Sequence, residues 1–162
     1  MKHNTNSNMQ QQIYRLKKEA DNGNVEAMIQ YGNILEKGSG TKPNKKEACK
    51  YFKMAADKGN IEAMKLYAWI LSKGDESLRN MNEAFKYYKM AASKDDTDSM
   101  IICGLMLSKG EGVEMNKKEA FNFYKKSTEL RNYKGMYYYA KMLDEGDGVE
   151  VDKQQAAYYY KQ

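Results

Sequence analysis

The chain is poor in the residues that catalysis, secretion or a loop-rich fold would need. Its 162 residues include one histidine, two cysteines and one proline, with 12 glycines. So little proline and glycine leaves little material for loops, and long helices are expected. The only histidine, His3, lies in a polar N-terminal stretch, so no Ser-His-Asp, Cys-His or histidine–metal site can be assembled in the folded part. Cys49 and Cys103 stand far apart and outside any C-x-x-C, which excludes a disulfide framework and points to a reducing compartment. The opening MKHNTNSNMQQQ has no apolar run of the kind a signal peptide needs. Nowhere does the chain approach the ~18 consecutive apolar residues of a membrane span. No asparagine sits in an N-x-S/T acceptor. A cytoplasmic protein is therefore expected, with no membrane partner.

Charge excludes less. The net charge is +5, but 22 acidic side chains are interspersed among 27 basic ones, which reads as a solvated surface rather than a polyanion-binding face. Lys46, Lys50, Lys53, Lys86, Lys89, Lys117, Lys118 and Lys125 fall partly along one helix edge, yet arginine is scarce and glutamates alternate with these lysines. No nucleic-acid partner is expected. Gly38-Ser-Gly-Thr-Lys42 lacks the G-K-[ST] ending of a phosphate loop, and no G-x-G-x-x-G occurs. The turn acids Glu111, Asp147 and Asp152 do not match a calcium loop. No catalytic, cofactor-binding or metal-binding residue is expected, and no cofactor.

What is present in abundance is periodicity. Ala48, Ala84, Ala120 and Ala156 are 36 residues apart, and so are Leu35, Leu71, Leu107 and Leu143, and Gly38, Gly74, Gly110 and Gly146. The Met28 and Lys53 series repeat in the same way, and the Tyr31 series is broken only by Cys103. Each unit reads as two helices. Helix A follows Asn24, with Ala27, Met28, Tyr31, Ile34 and Leu35 at helical spacing. The Gly38–Pro43 segment breaks it. Helix B opens on Asn44-Lys-Lys-Glu47, an Asx cap with an acid three residues on, and the signature returns at Asn80, Asn116 and Asp152. Small residues recur once in helix A (Ala27, Ala63, Ser99, Gly135) and once in helix B (the Ala48 series). Close contact between the two helices of each hairpin is expected there, with the large side chains packing between hairpins. The predicted fold is all-α: a right-handed α-solenoid of about four antiparallel helix–turn–helix repeats with period 36, at about 23–58, 59–94, 95–130 and 131–162.

These features resemble the Sel-one-like repeat family, relatives of tetratricopeptide repeats. The resemblance is carried by Ala20-Asp-Asn-Gly-Asn-Val-Glu-Ala27, Tyr31-Gly-Asn-Ile-Leu35, the Gly38-Ser-Gly40 turn and Glu47-Ala-Cys-Lys-Tyr-Phe-Lys53 with Ala55-Ala56, and it covers roughly residues 18–162. It implies a tetratricopeptide-like superhelix and a non-catalytic adaptor or scaffold. Cysteine-rich members of the family, described as penicillin-binding or hydrolysing, carry a cysteine pair in each unit. Here Cys103 replaces a core tyrosine and Cys49 stands where Phe85 and Phe121 stand. Both read as buried hydrophobes. Two turns depart from the pattern, Gly74-Asp-Glu76 and Asp95-Asp96, and distortion is expected at each.

The ends differ from the middle. Residues 1–11 are expected to be a disordered polar tail, and 12–22 a half-repeat covering the first helix A. The fourth copy stops at Tyr158-Tyr-Tyr-Lys-Gln162, before its expected Ala-Ala and without a polar cap. That ending leaves open a fragment of a longer array or a self-associating, homo-oligomeric end.

By resemblance to tetratricopeptide-like solenoids, the side of helix A opposite its core lines a concave groove. A helical wheel assigns positions 26, 29, 33 and 36 to it. Through the copies these are Glu26, Ile29, Asn33 and Glu36, then Glu62, Lys65, Trp69 and Ser72. The last two copies give Asp98, Ile101, Leu105 and Ser108, then Lys134, Tyr137, Lys141 and Asp144. Core positions barely change between copies, whereas 29 and 33 change each time and are often large and apolar. The expected partner-binding residues are Ile29, Asn33, Lys65, Trp69, Ile101, Leu105, Tyr137 and Lys141, receiving a peptide or helix of another protein. The competing expectation is that neighbouring A helices bury these side chains.

Overall fold

The computed structural model describes residues 2–162; Met1 and the side chains of residues 2–6, His3 among them, lie outside the described residues. The described residues form nine α-helices and no strand, in two compact units, Met1–Arg79 and Asn80–Gln162. Unit 1 holds α1 (Lys2–Asp21), α2 (Val25–Lys37), α3 (Lys45–Asp57) and α4 (Ile61–Lys73), each packed on the next. Unit 2 holds α5 (Met81–Ala92), α6 (Thr97–Lys109), α7 (Lys117–Glu129), α8 (Tyr133–Glu145) and α9 (Lys153–Tyr159). There too each helix packs on the next, and α6 also touches α8. The A helices are α2, α4, α6 and α8; the B helices are α3, α5, α7 and α9.

Every helix after α1 starts on a side-chain cap. Asn24, Asn60, Asp96 and Asn132, 36 residues apart, accept hydrogen bonds from the amides of Ala27, Ala63, Ser99 and Gly135. Asn44, Asn80, Asn116 and Asp152 do the same for the B helices. Each such cap is worth about 1 kcal/mol over alanine. The A helices α2, α6 and α8 end on left-handed glycines, Gly38, Gly110 and Gly146 (φ 72°, 71° and 70°). The chain then folds back so that the N–H of Asn44, Asn116 and Asp152 donates to the carbonyl of Leu35, Leu107 and Leu143 at 2.7, 3.0 and 2.9 Å.

The two irregular turns behave differently. Gly74 is extended (φ −68°, ψ 174°) instead of left-handed, the distortion expected where the second turn glycine is replaced by Glu76. The Asp95-Asp96 turn is not distorted. Asp95 takes the left-handed conformation itself (φ 65°), and the N–H groups of Asp95 and Asp96 reach the carbonyls of Ala92 and Ala91 just as Gly59 and Asn60 reach Ala56 and Ala55. A short polar side chain tolerates that conformation.

Packing within a hairpin also departs from expectation. The small residue that brings α2 and α3 together is Gly32: a Cβ built there would lie 2.6 Å from the ring of buried Phe52. The equivalent pair in unit 2 is Gly104 against the ring of Tyr124. The expected contact residue, Gly135, instead backs onto Ser127 of the preceding B helix. At Gly135 the Ala27 position therefore serves the join between consecutive repeats, and in the first and third hairpins glycine against an aromatic ring serves the hairpin. Glycine carries no apolar side chain, so hydrophobic periodicity passes over it.

The polar stretch expected to be disordered is helical from Lys2 onward. No glycine or proline interrupts residues 1–22, and the helix is tied to the first turn. The Gln10 Nε2 donates to the Gly40 carbonyl at 2.7 Å, and Met9 and Ile13 lie against Gly40.

Two substitutions test this packing. The hydroxyls of Ser99 and Ser127 are buried without a hydrogen-bond partner, and Ala27 and Ala63 occupy the position of Ser99 in the first two copies. Ser99→Ala is expected to raise stability by about 1 kcal/mol in chemical denaturation. Gly104→Ala is expected to lower it by about 1–3 kcal/mol, since the new methyl overlaps the Tyr124 ring.

Candidate functional site

Gly32 and Gly104 change which side of helix A is free. With the glycine position counted as a contact, the centre of the buried arc swings by about 20° toward position 29 at 100° per residue. On α2 and α6 position 29 is covered, and position 30 is exposed at Gln30 and half-buried at Ile102. On α4 and α8, where Ala68 and Ala140 hold the glycine place, Lys65 is half-buried and Tyr137 exposed. Ile29 and Ile101 are accordingly buried, 8% and 5% exposed, which corrects their assignment to the open face; in unit 2 the neighbouring A helix, α8, lies against α6.

The other expected residues are distributed as follows. In unit 1, Asn33 and Lys65 are half-buried, with the Lys65 ammonium 3.5 Å from Glu62, while Trp69 is 49% exposed. In unit 2, Leu105 is half-buried against the core, Tyr137 is 53% exposed, and exposed Lys141 stands 3.8 Å from Glu145.

Unit 2 brings three of them together. Ile101, Leu105 and Tyr137 line a groove of ≈ 720 Å³ between α6 and α8, together with Asp98, Ile102, Tyr133, Lys134 and Tyr138; Lys141 is not part of its lining. Ile102 and Tyr138, both half-buried at position 30, were missed by the wheel. The Gly104–Tyr124 pair, 20 residues apart, is a signal for Ile102; α8 has Ala140 at the glycine place and offers none for Tyr138. The groove has an aliphatic wall on α6 and an aromatic wall on α8. The Tyr138 ring stacks on Tyr124 at 5.1 Å between centroids, and Tyr124 is the ring that lies over Gly104. Tyr137 packs edge-on to Tyr138 at 5.3 Å and lies 6.1 Å from Tyr160. Rings braced in this way present a preformed surface, the kind that carries binding energy at interfaces.

Little else in the molecule offers chemistry. Among the described residues no three His, Cys, Asp or Glu side chains are grouped so as to hold a metal ion, and no helix is long and apolar enough to cross a membrane.

Comparison with known proteins agrees with the fold. The model of the Sel1 repeat family matches residues 25–60, 61–96, 97–132 and 134–162. The crystal structure of a Sel1 repeat protein from Oxalobacter formigenes is similar at TM-score 0.84 and 26% identity, covering 92% of this chain and 61% of that one. A protective antigen of uropathogenic Escherichia coli strains, displaying an SLR fold, is similar at TM-score 0.83 and 26% identity, covering 92% and 32%. The chain thus spans less than two thirds of either protein. The cysteine-rich protein B of Helicobacter pylori, at 22% identity and TM-score 0.56 over 76% of this chain, shares the fold alone. No curated protein matches the sequence.

Both cysteines of this chain are buried and unbridged. Burial pushes the Cys103 thiol up to about 12, so it holds no thiolate near neutrality. A thiol reagent at pH 8 is expected to leave Cys103 unmodified in the native protein and to modify both cysteines after denaturation, as read by mass spectrometry.

Proposed function

This chain belongs to the Sel1 repeat family, and from that premise we propose that it is an adaptor that takes a peptide segment of another protein in the α6–α8 groove. Sel1-repeat proteins are generally protein-interaction modules, and the repeat is a non-catalytic scaffold fold. The observation that carries the reading is the groove itself. Its size lies within the range of ligand-binding clefts, its floor is apolar, and its aromatic wall is braced from behind. Several of its positions are those that vary from copy to copy while the core stays constant, as expected where a shared scaffold presents a particular surface. In unit 1 the exposed Trp69, with Lys65 one turn away on the same helix, offers a further anchor.

A second reading is self-association through α9, favoured by Tyr158 and Tyr160, which are 58% and 46% exposed. Light scattering at micromolar concentration separates the two, because only self-association predicts a dimer or larger.

Tyr137→Ala is expected to weaken partner capture at least tenfold, with helicity and melting unchanged because the side chain is largely exposed. The check is affinity capture from the source cell, with wild-type, Tyr137→Ala and Trp69→Ala baits compared side by side. Undiminished capture by Tyr137→Ala would overturn the groove reading.

A further inference from the structure

The α6–α8 groove carries two exposed charges at one end, one on each wall. Asp98 and Lys134 are 36 residues apart and hold the same place in the first turns of α6 and α8. Neither has an ion-pair partner among the described residues. The other three copies have an acid at this place, Glu26, Glu62 and Asp98, where it suits the positive end of the helix dipole. A lysine there opposes the dipole, and the one described contact of its ammonium is the Tyr133 ring, 5.8 Å away. One turn further in, the walls become apolar: Ile101 and Ile102 on α6, Tyr137 and Tyr138 on α8. Each wall thus reads charge first and apolar side chain second, and the two charges are opposite.

We propose that the occupant is an extended peptide in which two adjacent residues of opposite charge adjoin two adjacent large apolar residues. The inference rests on the function proposed above for the groove. Successive side chains of an extended chain point to opposite sides, so neighbours address opposite walls. The step from Asp98 to Ile102 is four helical residues, about 6 Å of rise. Two residues of extended chain cover about 6.6 Å. One charged pair and one apolar pair therefore fall at the two levels of the groove. A helix shows the groove a single stripe and cannot send neighbouring residues to both walls. Basic to Asp98 and acidic to Lys134 is the favourable match, and a like charge against either wall is rejected.

The test uses the full chain and four fluorescent peptides sharing a Leu-Phe core, extended by Lys-Glu, Glu-Glu, Lys-Lys or Ser-Ser and placed at either end of the core. Affinities are read by fluorescence anisotropy at low salt for wild type, Asp98→Lys and Lys134→Glu. Both side chains are exposed, and circular dichroism verifies that the variants fold. Wild type is expected to bind the Lys-Glu peptide at least fivefold tighter than the other three. Asp98→Lys is expected to move the preference to Glu-Glu, and Lys134→Glu to Lys-Lys. Binding of all four with the same order in the three proteins would overturn the charge assignment and leave the groove standing. Binding of none by wild type would overturn the groove reading as well.

Discussion

The contact on which the first and third hairpins depend is an aromatic ring of helix B packed against a glycine of helix A. At Gly32 and Gly104 the missing Cβ lets Phe52 and Tyr124 reach the backbone of α2 and α6. Close approach of this kind sets how far α2 and α6 are turned about their own axes. On these two helices the turn decides which residues are covered: Ile29 and Ile101 are buried, while Gln30 is exposed and Ile102 half-buried. In unit 2 the same ring has a second neighbour, because Tyr138 stacks on Tyr124 and forms the aromatic wall of the groove. The groove is therefore continuous with the hairpin core, and packing holds it in shape.

Around that contact the period supplies the rest. Eight Asn or Asp caps start the helices, left-handed glycines end three of the four A helices, and one backbone hydrogen bond closes each of those three turns. These are local interactions, so a single copy can vary without disturbing its neighbours. Asp95 shows how much variation a turn accepts, since its short side chain takes a conformation held elsewhere by glycine at Gly23 and Gly59. Gly74 shows the opposite, a glycine that stays extended when its companion is lost.

Most of the fold was legible in the sequence, because caps, turn glycines and apolar stripes are each marked by a residue type at a fixed spacing. The site was legible only in part. Tyr137 and Leu105 could be placed from the wheel because their copies vary and they are large. Ile29 and Ile101 were misplaced, and Ile102 overlooked, because the residue that turns α2 and α6 is a glycine, which adds nothing to a hydrophobic pattern. Tyr138 lies on α8, where Ala140 holds that place, and carried no such mark. The helical stretch over residues 2–11 was hidden by its polarity, which argues against burial but not against helix.

The central claim is the rotation of helix A that the glycine contact imposes, since it decides what the groove shows to a partner. The most direct measurement is methyl NMR of isoleucine-labelled protein with a soluble paramagnetic probe. The Ile101 and Ile102 methyls are neighbours in sequence and sit on either side of the boundary drawn here. The account predicts strong broadening of Ile102 and protection of Ile101. Broadening of Ile101 with protection of Ile102 would contradict it.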